Sequence, residues 1–212
     1  IPDQPRGTAI KETDHFNPEL VPGCYSKSKA MASQLVLEAC HNKGLRASIV
    51  HPSGIMGPGD LAHGELTHTL ARIVKGELPV GIDCDFNLCD VRDLADGLIN
   101  AATKGRDGEC YILANEPVTF KDFSDMAIGA VNGKKIRVFL PIAPLKVVAK
   151  VLETTAKITK RKPILTTFYL INVERNNQFD ASKARSELGY RTRPYKETIT
   201  DHVQWMKEEG II

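Results

Sequence analysis

Tyr25-Ser26-Lys27-Ser28-Lys29 is the stretch on which the reading of this chain turns. No Pro or Gly interrupts the residues from Tyr25 to Asn42. Ala30, Met31, Leu35, Leu37, Ala39 and Cys40 supply a broad apolar face there. The spacing therefore predicts a helix, ended by Lys43-Gly44 as a glycine C-cap. On a helix, residues four apart share a face, so Tyr25 and Lys29 are expected to point into the same space. An ordinary phenol keeps its proton to about pH 10, and a cation beside it favours the phenolate. Such a pair suits a general acid or base acting on a hydroxyl or carbonyl. Lys29 also suits a hydrogen bond to a cofactor ribose. Alone the pattern is common, and its plain reading is a half-buried Tyr next to a solvated Lys. Its surroundings have to decide.

Working outward, residues 1–23 are rich in Pro, Gly and charge and read as a surface loop. After the helix, Ala47-Ser48-Ile49-Val50 reads as a short buried strand that runs into the loop from Pro52 to Gly59. A helix is expected over Leu61 to Lys75 and a strand over Phe86 to Cys89. Asp90 reads as an N-cap with Asp93 closing a capping box, opening a helix that carries Val91, Leu94, Leu98 and Ala102. Tyr111 to Leu113 is a strand. Thr119 caps a helix to about Val131, and Ile136 to Leu140 is a strand. An amphipathic helix follows from Pro144 to Lys160, then a short helix ending at Leu188-Gly189 and a last one from Thr198 to Glu209. Strands alternating with helices indicate α/β architecture.

The 212 residues are enough for one large domain or two small ones, and 42% hydrophobic residues disfavour disorder. Lys+Arg total 28 against 26 Asp+Glu, a net charge of +2 that gives no field toward nucleic acid. Five scattered cysteines (Cys24, Cys40, Cys84, Cys89, Cys110) do not form a disulfide framework and read as reduced thiols of a cytoplasmic protein. Cys84 with Cys89 and His63 with His68 miss metal-ligand spacing, so no metal is expected. Lys157-Ile158-Thr159-Lys160-Arg161-Lys162 reads as a solvated basic helix end. No stretch is apolar enough for a membrane helix, and no membrane partner is expected.

The context of Tyr25 and Lys29 carries a resemblance. The helix is followed by His51-Pro52-Ser53-Gly54-Ile55-Met56-Gly57-Pro58-Gly59. Then come Asp90-Val91-Arg92-Asp93-Leu94-Ala95, Gly108-Glu109-Cys110-Tyr111-Ile112-Leu113 and Glu187-Leu188-Gly189-Tyr190. In this order the motifs resemble the extended short-chain dehydrogenase/reductases, or NAD-dependent epimerase/dehydratases, and cover essentially the whole chain. Within that family the chain is closest to the 3β-hydroxysteroid dehydrogenase and dihydroflavonol reductase branch. The family's glycine-rich turn, which receives the dinucleotide pyrophosphate, has no match here. Gly54 to Gly59 lies after the Tyr-Lys pair, with Pro58 where a helix would start. The family's catalytic Ser or Thr has no clear counterpart either, since Thr8 and Thr13 lie in expected loop. The chain begins at Ile1 without Met and is expected to be the C-terminal part of a longer enzyme, inactive when isolated.

The resemblance implies the second half of a Rossmann-type, doubly wound parallel sheet and a smaller α+β substrate-binding lobe. The sheet half is expected over residues 1–58 and 85–115, the lobe over 59–84 and 116–212. It implies NAD or NADP as cofactor, with Tyr25 as acid/base and Lys29 on the ribose. His51, Pro52, Ser53, Gly54 and Ile55 would lie along the nicotinamide, with His51 a buried or capping residue rather than a catalytic one. Val80 to Asn87 holds two Asp and no Arg, so it resembles the hydroxysteroid-dehydrogenase and dihydroflavonol-reductase branch, which implies an uncharged or weakly charged alcohol or carbonyl over a sugar nucleotide. The leading expectation is an oxidoreductase on a small-molecule secondary alcohol or ketone, and the full-length enzyme may form a homodimer. A sugar-nucleotide epimerase/dehydratase and a non-catalytic cofactor sensor are the alternatives.

Overall fold

In the computed structural model, residues 4–159 and 167–212 are described; Lys160, Arg161 and Lys162 of the expected basic cluster lie outside them. In chain order the elements begin with α1 (Cys24–Lys43), β1 (Ile49–Pro52), β2 (Gly54–Met56) and α2 (Glu65–Val74). They continue with β3 (Gly81–Asp83), β4 (Asp85–Phe86), β5 (Leu88–Asp90), α3 (Val91–Lys104), β6 (Cys110–Leu113) and β7 (Val118–Thr119). The last are α4 (Phe120–Gly129), β8 (Phe139–Pro141), α5 (Ile142–Thr159), α6 (Thr167–Glu174) and α7 (Tyr195–Glu208). Two compact units result: Ile1–Met56, Asn87–Glu116 and Asn176–Arg193 make the first, Gly57–Phe86, Pro117–Arg175 and Pro194–Ile212 the second.

The first unit is the parallel α/β half. β1 pairs in parallel with β6, and β2 pairs in parallel with β5. Ser53 stands between β1 and β2, and its N–H still reaches the Leu113 carbonyl at 3.1 Å. One extended run from Ile49 to Met56 thus changes partner at Ser53. Pro52 closes β1 from inside the strand instead of following it. Alternation along β1 sorts the two faces. Ile49 packs with Phe16, Val21, Ala30, Leu37 and Cys110, on the side of α1. Val50 packs with Cys89, Leu94, Ala101, Tyr111 and Leu188, on the side of α3.

Residues 4–23 are irregular and mostly exposed, as a surface loop should be, but they are tied down: Ile10, Phe16 and Val21 are buried, and Ile10 exchanges backbone hydrogen bonds with Gln178 at 2.7 Å and Asp180 at 2.8 Å. Polar composition concealed these three apolar anchors, spaced too irregularly to show a period. The same bridge explains why Asn176–Arg193, expected in the lobe, folds with the first unit.

The second unit joins β3 to β8 in parallel and β4 to β7 antiparallel. Gly81 is required at β3, since a Cβ there would stand 2.5 Å from the Phe139 ring. Phe86, Phe120 and Phe123 form an aromatic cluster, with Phe86 and Phe123 centroids 5.2 Å apart and edge-on. Helix α6 escaped the sequence reading, and α5 starts at Ile142, two residues before Pro144. A hydrogen-bonded chain fastens α2 and α7: the Asp60 carboxylate accepts from the Gly64 N–H (2.8 Å) and the Thr67 hydroxyl (2.5 Å), and Thr67 Oγ1 lies 3.1 Å from His202 Nε2. The hydroxyl has one proton and gives it to the carboxylate, so His202 Nε2 must be the donor to Thr67.

Candidate active site

Helix α1 opens at Gly23 (φ 81°) without a side-chain cap and closes at Gly44 (φ 66°), whose N–H bonds the Ala39 carbonyl. Both glycines sit in left-handed backbone that other residues rarely adopt. Near the end of α1 the Cys40 thiol meets the Ala47 carbonyl at 3.5 Å, just before β1 starts. At the other end of β1, the His51 ring lies 5.4 Å from Phe16, whose N–H is held by Gln34 of α1 at 2.9 Å. Helix and strand therefore run antiparallel, and the amino-terminal half of α1 extends past the carboxyl end of β1. Ligands of open α/β sheets bind outside such strand ends.

The first turn of α1 carries the expected pair. Lys29 Nζ stands 5.6 Å from the centre of the Tyr25 ring, within cation–π range. The ring is 75% exposed, so the phenol is open to a ligand. The other groups nearby are engaged elsewhere. Lys27 pairs with Glu19 at 2.9 Å, and the Ser28 hydroxyl bonds the Tyr25 carbonyl at 2.8 Å. Of the polar side chains in this turn, Lys29 is the one that turns toward the phenol.

His51, Pro52, Ser53, Gly54 and Ile55 follow along β1 and β2. Burial pushes the His51 imidazole down to about 4, so it is neutral at physiological pH. Its Nε2 is buried without a hydrogen-bond partner. The Ser53 hydroxyl is buried too and has no partner at ordinary hydrogen-bond geometry. Close to it is the Cys89 thiol, which burial pushes up to about 11 against the opposing pull of the Ser53 hydroxyl. Gly54 lies flush against β5: a Cβ would stand 2.6 Å from Leu88 Cδ2 and 3.2 Å from the Asn87 carbonyl. Ile55 is half exposed. Among the described residues no group of three His, Cys, Asp or Glu side chains gathers for a metal ion.

Two polar networks near these strands have no counterpart in the sequence reading. Asp90 caps α3 through the Arg92 N–H (2.8 Å), as expected, and also forks with the Arg92 guanidinium (2.7 Å). Asp93 does not close a capping box. Its carboxylate takes the N–H and Nε of Arg193, each at 2.8 Å, a partner 100 residues away that local spacing cannot reveal. Beside it, Asn87 and Asn115 bond each other, and Asn115 Nδ2 donates to the Arg193 carbonyl at 3.2 Å.

A pyridine-nucleotide cofactor fits these residues on its nicotinamide side. Polar atoms buried without partners at His51 and Ser53, a backbone stripped of Cβ at Gly54 and an open Tyr-Lys pair suit a carboxamide and a ribose. A glycine-rich turn opening a helix, which the pyrophosphate needs, does not occur among the described residues.

Residues 2–114 match the profile of a family described as "NAD dependent epimerase/dehydratase family". The chain is 28% identical over 199 residues to a putative dihydroflavonol 4-reductase of Synechocystis, covering 90% of this chain and 56% of that protein. It is 28% identical over 183 residues to 3beta-hydroxysteroid-dehydrogenase/decarboxylase isoform 1 of Arabidopsis thaliana, covering 78% and 41%. The crystal structure of gox2253 superposes with a TM-score of 0.80 at 30% identity, over 99% of this chain and 64% of that one. The chain thus spans about half the length of the curated relatives it matches.

Proposed function

Since the chain belongs to the NAD-dependent epimerase/dehydratase family, we propose that it carries the acid/base machinery of an NAD(P)-dependent oxidoreductase acting on a secondary alcohol or its ketone. The observation behind this reading is the contact of Lys29 with the exposed Tyr25 ring on one face of the first two turns of α1. The nicotinamide, when bound, accepts or returns the hydride at the carbinol carbon. Tyr25 takes the hydroxyl proton during oxidation and gives it back during reduction. Lys29, together with the amino-terminal turn of α1, sets positive potential where the phenolate forms, and Lys29 orients the cofactor ribose. Ser53, Gly54 and Ile55 present backbone to the nicotinamide, and His51, neutral at physiological pH, precedes them with its buried Nε2 available to a polar group of the cofactor. Contacts to the pyrophosphate and adenine come from the part of the relatives' length that this chain does not span.

The substrate is a secondary alcohol or ketone, in keeping with the relatives named dihydroflavonol 4-reductase and 3beta-hydroxysteroid-dehydrogenase/decarboxylase. In sequence, the stretch from Val80 to Asn87 carries Asp83 and Asp85 and no Arg or Lys, a charge pattern that favours this reading over a diphosphate substrate. The test uses the protein as its gene encodes it in full, with NAD(P)H absorbance followed against a 3β-hydroxysteroid, a dihydroflavonol and a UDP-sugar. Turnover of either uncharged compound is expected. Interconversion of the UDP-sugar with no net change in NAD(P)H assigns the protein to the epimerases instead. Lys29→Met is expected to weaken NAD(P)H binding; an unchanged affinity would return Lys29 to the solvated surface.

A further inference from the structure

We propose that Asn87 is a positioning residue for the nicotinamide-side loop, holding the backbone of Ser53-Gly54-Ile55 in register for the bound ring. The proposal rests on the functional reading of that loop given above. Asn87 lies between β4 and β5, is 4% exposed and uses every hydrogen-bonding group of its side chain. Oδ1 accepts from the Asn115 N–H at 3.1 Å, and Nδ2 donates to the Asn115 carbonyl and, at 3.3 Å, to the Asn177 carbonyl. The arrangement also fixes the amide's orientation, because the opposite rotamer would turn Oδ1 onto two carbonyls. With its side chain held at three points, the backbone carbonyl of Asn87 is a rigid acceptor. It receives the Gly54 N–H at 3.1 Å.

Gly54 is the residue that makes this arrangement matter to a ligand. It stands where the extended run leaves β6 and joins β5, so its N–H is the first held from the β5 side. The absence of a Cβ lets it press onto Leu88 and the Asn87 carbonyl. The peptide planes on either side of Gly54, which would meet the nicotinamide, are therefore set by Asn87. The segments that meet at Asn87 come from residues 54, 115 and 177, far apart in sequence: the side chain ties Asn87 to the segments at 115 and 177, and its backbone carbonyl holds the loop at Gly54. Ser53 is tied independently to β6 through Leu113, which leaves Gly54 and Ile55 as the part that depends on Asn87.

The test compares NADH with ADP-ribose, which shares every part of the cofactor except the nicotinamide, in the protein as encoded in full. Asn87→Asp keeps the shape and the acceptor and loses both donors; Asn87→Ala removes all three bonds. Asn115→Ala is the control, since it loses the bond to Arg193 but keeps the Asn115 backbone groups that Asn87 uses. Both Asn87 variants are expected to weaken NADH about five- to ten-fold, the scale of one positioning hydrogen bond, with ADP-ribose affinity unchanged. Asn115→Ala is expected to lower thermal stability while leaving the NADH to ADP-ribose ratio at the wild-type value. A structural role alone would lower both affinities together or neither, and either result overturns the proposal. Should an Asn87 variant fail to fold, the other decides. Wild-type protein that binds ADP-ribose and NADH equally well would show that no residue of this loop meets the nicotinamide, and would overturn the functional reading together with this one.

Discussion

Replacing Tyr111 by Phe removes one oxygen from the interior of the first unit and is expected to cost about 1–2 kcal/mol. Tyr111 is fully buried in β6. Its hydroxyl donates to Glu187 Oε2 at 2.8 Å and accepts from the Arg106 N–H at 3.0 Å. Glu187 also forks with the Arg106 guanidinium, at 3.0 and 2.7 Å, and Lys183 stands 4.8 Å over the Tyr111 ring. A hydrogen bond to a charged acceptor contributes roughly 1.5–3 kcal/mol, and one between neutral groups about 1. The Glu187 side chain is 31% exposed and keeps its Arg106 fork, so water replaces part of the loss and the lower end applies. For a protein of this size, the drop corresponds to about 2–8 °C in Tm, read by circular dichroism. Arg106 first and Tyr111 second hold the Glu187 carboxyl below its ordinary value. A depressed carboxylate stabilises above the unfolded value, about 4.3, and loses that contribution as pH falls through the folded one. The gap between wild type and variant should therefore be full at neutral pH and close in acid. A Tm within 1 °C of wild type at pH 7, or a gap that widens in acid, would refute this reasoning.

Two further outcomes are expected. Burial holds His51 at about 4 against an ordinary 6.5, so folding stability is full above about pH 6.5 and declines as pH falls toward 4, by about 3 kcal/mol at most. His51→Gln should flatten the urea-unfolding profile over that window, and an unchanged slope would mean that the imidazole is not buried in the folded protein. Thr67→Val cuts the link from Asp60 to His202 in the second unit and is expected to lower the urea midpoint by the equivalent of about 1–3 kcal/mol with an unchanged m value; a change under about 0.5 kcal/mol would count against it.

Much of this architecture could be read from local pattern, because local chemistry encodes it. Gly44 had to cap α1, Asp90 and Thr119 had to cap α3 and α4, and apolar runs marked β1 and β6. Tyr25 and Lys29 were legible because four-residue spacing on a helix fixes a shared face. What stayed hidden depends on partners distant in sequence. Asp93 looked like a capping-box residue until Arg193 claimed it, and Tyr111 and Glu187, both visible in motifs, gave no sign that they bond each other across 76 residues. Asn87 lay inside the expected strand from Phe86 to Cys89, with nothing local to mark its partners at Asn115 and Asn177. The anchoring of Ile10, Phe16 and Val21 was masked by the charged residues around them. Strand ends also misled: Pro52 belongs to β1 because proline is tolerated at a strand terminus, where its missing N–H leaves the ladder whole.

The most direct test of the account is single-turnover hydride transfer in the full-length protein carrying Tyr25→Phe. The phenol is exposed, so removing its hydroxyl should leave thermal unfolding unchanged. NAD(P)H binding should stay close to wild type, while the transfer rate, followed at the nicotinamide absorbance with whichever alcohol the wild type oxidises, should fall about 10²–10⁴-fold. A variant that keeps more than about a third of the wild-type rate would contradict the assignment of Tyr25 as the proton-transferring group.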